Sequence, residues 1–104
     1  LERNGYMIRA IYDSSPDVVG EQFGDHKARD INRAVVEIRA NQWRLAILAV
    51  PKKAAQDVAE YLYNSGIRGF LNLTLAHLSL PKYANVVDNR LIDNLQELVF
   101  SIVD

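Results

Sequence analysis

A chain of 104 residues, about half of them apolar, suffices for one domain around one core and excludes a second. Its formal charge of −1 and isoelectric point near 6.1 leave no excess of Lys and Arg to grip phosphate backbones, so this segment is not expected to contact DNA directly. No cysteine is present, which excludes a disulfide framework and a thiolate zinc site, and no apolar run reaches the roughly 20 residues that span a bilayer. The reading is a cytoplasmic chain without a membrane role, and any redox response must work through a bound cofactor.

Met7 to Tyr12 is a short apolar run of strand formers that stops at Asp13-Ser14-Ser15-Pro16, a turn sequence. With Leu1 first and the single methionine, Met7, inside this strand, the sequence reads as continuing upstream. Asp17 to Gly24 reads as a loop or short helix punctuated by Gly20 and Gly24, and His26 to Arg29 as a polar strand. From Asp30, a suitable N-cap, Ile31, Ala34, Val35 and Ile38 recur at helical spacing until Asn41. Leu45 to Val50 is a continuous apolar run too short for a free-standing helix, which predicts a strand buried on both faces at the centre of a parallel sheet. Pro51 suits the first helical position; Ala54, Ala55, Val58, Ala59 and Leu62 line one face, and Gly66 supplies the C-cap. Gly69 to Leu73 is the next strand, Thr74 to Lys82 a loop, and Asn85 to Asp88 a last short strand. Leu91, Ile92, Leu95, Leu98, Val99 and Ile102 then form the stripe of a terminal helix, which either closes this domain's own core or reaches a second subunit. Strand, helix, strand, helix, strand is the alternation of an α/β fold with a mainly parallel sheet. The run Leu45 to Val50 should lie beside the place of a strand that precedes Leu1.

Several stretches resemble Rex-type redox-sensing repressors, and the match covers nearly the whole chain. Ala10-Ile11-Tyr12-Asp13 running into Ser15-Pro16 and Gly20 is similar to that family's A-A-F-D strand end and its D-P-x-x-x-G turn. Ala49-Val50-Pro51 with Ala54-Ala55-Gln56 matches its A-V-P and A-A-Q. Gly66-Ile67-Arg68-Gly69-Phe70-Leu71-Asn72, His77-Leu78-Ser79-Leu80-Pro81 and Leu95-Gln96-Glu97-Leu98 match its G-I-x-G-x-L-N, R-L-x-V-P and L-Q-x-L in register. The resemblance implies a Rossmann-type domain that binds NADH or NAD. It also implies a winged-helix domain upstream, through which alone DNA is contacted, and a homodimer held by the C-terminal helix at 89–104 through Leu91, Leu95, Leu98 and Ile102. The glycine-rich G-x-G-x-x-G turn that approaches the pyrophosphate belongs before Leu1. The chain departs from the family pattern at Arg90, where an acidic residue is usual, and at Leu75, where a proline is usual.

The candidate cofactor residues are Asp13, Ser14, Ala49, Val50, Pro51, Asn72 and Thr74. Asp13, at a strand's carboxyl end, either accepts hydrogen bonds from a ribose diol or only shapes the turn before Pro16. Ala49, Val50 and Pro51 either let a flat ring approach the sheet or pack the strand against the next helix. Asn72 either hydrogen-bonds a carboxamide or ribose or satisfies a loop backbone. Lys52 and Lys53 lie in a helix's first turn, where the dipole disfavours cations, which hints at an anionic ligand or partner nearby; the plain reading is solvated lysines. His26 and His77 lack ligating neighbours, so no metal is expected, and no nucleophile elbow or carboxylate pair suggests an enzyme. The leading reading is therefore a cofactor-sensing regulatory domain. The alternative is a fragment of a small dehydrogenase, or a stand-alone nucleotide- or coenzyme A-binding protein.

Overall fold

The computed structural model describes residues 7–89, which fall into two compact units, 7–34 and 35–89. In the first, β1 (Ile11–Asp13) pairs in parallel with β3 (His26–Asp30), and β2 (Gln22–Phe23) pairs antiparallel with β3. The strand expected over Met7 to Tyr12 thus shrinks to the residues that find partners, Ile11 opposite Ala28 through Asp13 opposite Asp30.

The stretch 17–24 holds no helix. Val18 and Val19 both donate to Ser15 O (3.0 Å each), closing a turn that leads to Gly20, whose φ of 95° is glycine territory. A tight hairpin follows, in which Phe23 faces His26 across Gly24-Asp25. Gly24, at φ 60°, occupies the first central position, where primed hairpin turns ask for glycine. Asp30 then caps as expected, its Oδ1 accepting from Asn32 N at 2.8 Å, but the first turn (Ile31–Arg33) is a 3-10 turn before the α-helix begins.

The second unit begins one residue into α1 (Ala34–Asn41), which is followed by β4 (Leu45–Leu48), α2 (Lys52–Ser65), β5 (Gly69–Asn72) and β6 (Asn85–Asp88). The sheet order is β4-β5-β6 and every pairing in it is parallel, with Leu48, Asn72 and Asp88 in one row. Helix α2 is the crossover between neighbouring parallel strands, which cannot be joined by a tight turn. Pro51 stands one place earlier than expected, as the N-cap; it has no side-chain group to satisfy the helix's first N–H groups. Gly66 ends the helix at φ 127°, its N–H and that of Ile67 reaching Tyr63 O and Leu62 O (3.0 Å each). Arg68 finishes this end: its Nη1 donates to Tyr63 O (2.7 Å) and its guanidinium lies 3.9 Å over the Tyr63 ring.

Ala55, Ala59 and Leu62 of α2 are buried together with Leu48, Ile67, Phe70, Leu73 and Leu78. Alternation along the strands puts Leu48 and Phe70 on this buried face, while Leu45 and Ile47 fall on the other. That second face is open: Leu45 is 68% exposed, Ile47 37% and Val87 56%. The expectation of a strand buried on both faces therefore fails for β4. Its one sheet neighbour among the described residues is β5, so it is also an edge. The terminal helix read from Leu91 to Ile102, and Arg90 before it, lie outside the described residues.

Candidate functional site

A cleft of about 590 Å³ opens where β4 gives way to α2, lined by Pro51, Lys52, Lys53, Ala76 and His77. It lies at the carboxyl end of the parallel strands, the place where open α/β sheets receive ligands. The reason is topological: β4 delivers the chain to the N-terminus of α2, and β5 delivers it to the loop over 73–84, so two loops face each other there. Both lysines are exposed in the first turn of α2, beside backbone N–H groups that no side chain caps. The surface of this open concavity is mainly apolar, with Lys52, Lys53 and His77 among its lining residues and the N-terminus of α2 beside it.

Of the residues expected in a site, Pro51 lines the cleft, Ala49 is exposed and Val50 is half-buried just before it. Asn72 is different: it is 2% exposed, and its side chain is fully engaged within the protein. Its Nδ2 donates to Ala76 O (2.9 Å) and Asp88 Oδ1 (2.8 Å), while its Oδ1 accepts from Thr74 N (3.0 Å) and Thr74 Oγ1 (2.6 Å). An amide has two N–H donors and two acceptor sites, and all four are used. Of the two readings of Asn72, the geometry matches the one in which it satisfies a loop. Thr74 Oγ1 in turn accepts from Ala76 N (3.1 Å), so Asn72 and Thr74 together fix Ala76, one wall of the cleft.

The loop is fastened at a second point. Gln56 of α2 donates through Nε2 to Ser79 O (2.7 Å) and accepts from Ser79 N at Oε1 (2.9 Å). Sequence reasoning passed over Gln56, Ala76 and Asp88 as site-forming residues and treated His77 as solitary. The signal for Gln56 lay in the A-A-Q stretch, but nothing in its spacing identifies a loop partner more than twenty positions away.

In the first unit, Asp13 is half-buried at the end of β1, and its Oδ1 accepts from Ser15 N at 2.8 Å. The aspartate turn is thus present. Oδ2 makes no hydrogen bond among the described residues, so the turn uses only one of the two carboxylate oxygens. Ser14 beside it is exposed. His26 borders a concavity of about 420 Å³ with residues of both charges, among them Asp25, Lys27 and Arg33. Among the described residues no group of three His, Cys, Asp or Glu side chains could hold a metal ion, and no helix is long and apolar enough to cross a membrane.

A family model described as the CoA binding domain matches residues 1–76. The redox-sensing transcriptional repressor Rex of Clostridium botulinum (strain Eklund 17B / Type B) is 32% identical over 102 residues, 98% of this chain and 49% of the relative. That of Lactobacillus gasseri is 32% identical over 97 residues, 93% of this chain and 45% of the relative. The crystal structure of RSP, a Rex-family repressor, superposes with a TM-score of 0.83 at 26% identity, covering 97% of this chain and 48% of that one. RSP structures in complex with beta-NADH, and with beta-NAD+ and operator DNA, each superpose with a TM-score of 0.82 at 26% identity, again over 97% of this chain; the shares of those two chains covered are 49% and 46%. The chain spans about half the length of the curated relatives it matches. The fold is Rossmann-type α/β, the resemblance to Rex-type repressors holds along almost the whole chain, and the chain belongs to the CoA binding domain family.

Proposed function

We propose that this chain is the NAD(H)-sensing regulatory domain of a redox-responsive transcriptional repressor and works in the cytoplasm without being an enzyme. The observation that carries the reading is the likeness, over 97% of the chain, to a repressor whose structures hold NADH or NAD+ with operator DNA. On this reading residues 1–104 form one partial Rossmann-type domain. Residues 89–104 are its dimerisation helix, engaging a second copy through Leu91, Leu95, Leu98 and Ile102. DNA is contacted by a winged-helix domain outside this chain.

The residues fit the cofactor as follows. Asp13, at a strand end, keeps Oδ2 without a hydrogen bond among the described residues and suits a ribose diol, with Ser14 alongside. Ala49 and Val50 are small enough to let a planar ring approach, and Pro51, Lys52 and Lys53 border a mainly apolar cleft at whose rim the two lysines can meet a group bearing negative charge. Asn72 and Thr74 act from behind by holding Ala76. The bound dinucleotide supplies no reaction here; its two redox forms differ in charge and shape at the nicotinamide. A ligand shifts an equilibrium between dimer geometries only by the difference in its affinity for them.

A second reading, coenzyme A binding, is favoured by the family model's description. Calorimetric titration of the protein carrying this chain with NADH and with coenzyme A separates the two. One NADH per chain, with no heat from coenzyme A, supports the first reading; coenzyme A alone binding overturns it.

A further inference from the structure

We propose that Asn72 and Asp88 form a positioning link that couples the loop along the Pro51–Lys53 cleft to the direction in which the chain leaves β6. The two residues are the last register pair of β5 and β6, and Asn89 N donates to Asn72 O (3.3 Å) just beyond it. To this backbone pairing Asn72 adds a side-chain bond, Nδ2 to Asp88 Oδ1 at 2.8 Å. The same nitrogen's other hydrogen goes to Ala76 O, and the Oδ1 of the same amide takes both donors of Thr74. The amide cannot be turned round: Thr74 N can only donate and Ala76 O can only accept. One buried group therefore ties the cleft wall to the end of the sheet.

A fully satisfied buried amide resists losing any single partner, so its four bonds tend to move as a set. A ligand that displaces Ala76 displaces Asn72, and with it the carboxylate of Asp88, two residues before Arg90 and the terminal segment. The loop is pinned farther along by Gln56 at Ser79, which confines movement to the stretch between the two anchors. Asp88 does not line the cleft, so it acts through Asn72 and not on the ligand.

The ligand-dependent part rests on the NAD(H) reading above; the link itself does not. The test is amide hydrogen exchange, read by peptide, in the chain and in its Asp88→Ala and Asp88→Asn variants, with and without NADH. Asparagine keeps an acceptor oxygen for Asn72 and alanine removes it. Without ligand, Asp88→Ala should raise exchange at Thr74 and Ala76 roughly fivefold, the loss of about one ordinary hydrogen bond, while Asp88→Asn stays at the parent value. With NADH, the parent and Asp88→Asn should change exchange both at 74–77 and at 89–104, whereas Asp88→Ala should change it at 74–77 alone. Equal exchange in all three ligand-free proteins overturns the link, as does an Asp88→Ala protein that transmits the ligand response undiminished. A parent chain unresponsive to NADH, with the ligand-free difference intact, sinks the NAD(H) reading and leaves the link standing.

Discussion

Gln56 and Ser79 exchange two hydrogen bonds, side-chain amide to backbone amide, at 2.7 and 2.9 Å. A glutamine used this way mimics a strand partner, and it fastens an otherwise irregular loop to α2. Gln56→Glu keeps an acceptor for Ser79 N, loses the donor to Ser79 O, and places a second carboxylate against Glu60, its present partner at 2.6 Å. It should destabilise the chain by about 1 kcal/mol and speed exchange at Ser79; an unchanged melting curve would remove this contact from the account.

Asp13→Asn isolates the charge of the proposed ribose acceptor. Asparagine can still accept from Ser15 N, so the turn survives while the charged acceptor is lost. NADH binding should weaken by about 1 to 3 kcal/mol with stability nearly unchanged. Unaltered affinity in calorimetry would remove Asp13 from the site.

Lys52→Glu combined with Lys53→Glu should move stability and binding in opposite directions. Acidic residues in the first turn of α2 suit its dipole, so each substitution should raise stability by ~0.3 to 1 kcal/mol. The same change reverses the charge of the cleft and should weaken NADH binding. Loss of stability together with unchanged binding would mean that the lysines serve the helix and not a ligand.

Gly66→Ala tests the end of α2. At φ 127° a side chain is strained whatever space surrounds it, and the added carbon would also meet Ile38 Cγ2 at 3.6 Å, an ordinary contact. The cost should be about 1 to 2 kcal/mol, read as a lowered denaturation midpoint, and it arises from the backbone alone.

Much of the second unit was legible because its signals are local. The period of Ala55, Ala59 and Leu62, the punctuation by Pro51 and Gly66, and the short apolar run into β4 each specify an element without reference to distant residues. The hairpin of β2 and β3 was missed because two-residue β2, Gln22–Phe23, has no period to detect, although Gly24 marked its turn. Burial of β4 on both faces was overstated because composition cannot tell which elements arrive to cover a face. Leu45 and Ile47 look like core residues and stand exposed. At the candidate site, the positions of Pro51 and Asp13 at or beyond strand ends were legible from local turn and helix-start signals. The roles of Asn72 and Gln56 depend on partners in the loop over 73–84, which has no periodicity. Only a three-dimensional arrangement shows that Asn72 is spent on Thr74, Ala76 and Asp88.

A sensor must distinguish the two redox forms, since a ligand with equal affinity for all states reports nothing. The most direct test of the account is therefore a pair of equilibrium titrations, NADH and NAD+, each repeated in competition with the other, on the protein that carries this chain. The account predicts one shared site per chain, mutual competition, and affinities that differ by at least roughly tenfold, about 1.4 kcal/mol. Absence of binding by either form, or equal affinity for both, would contradict it.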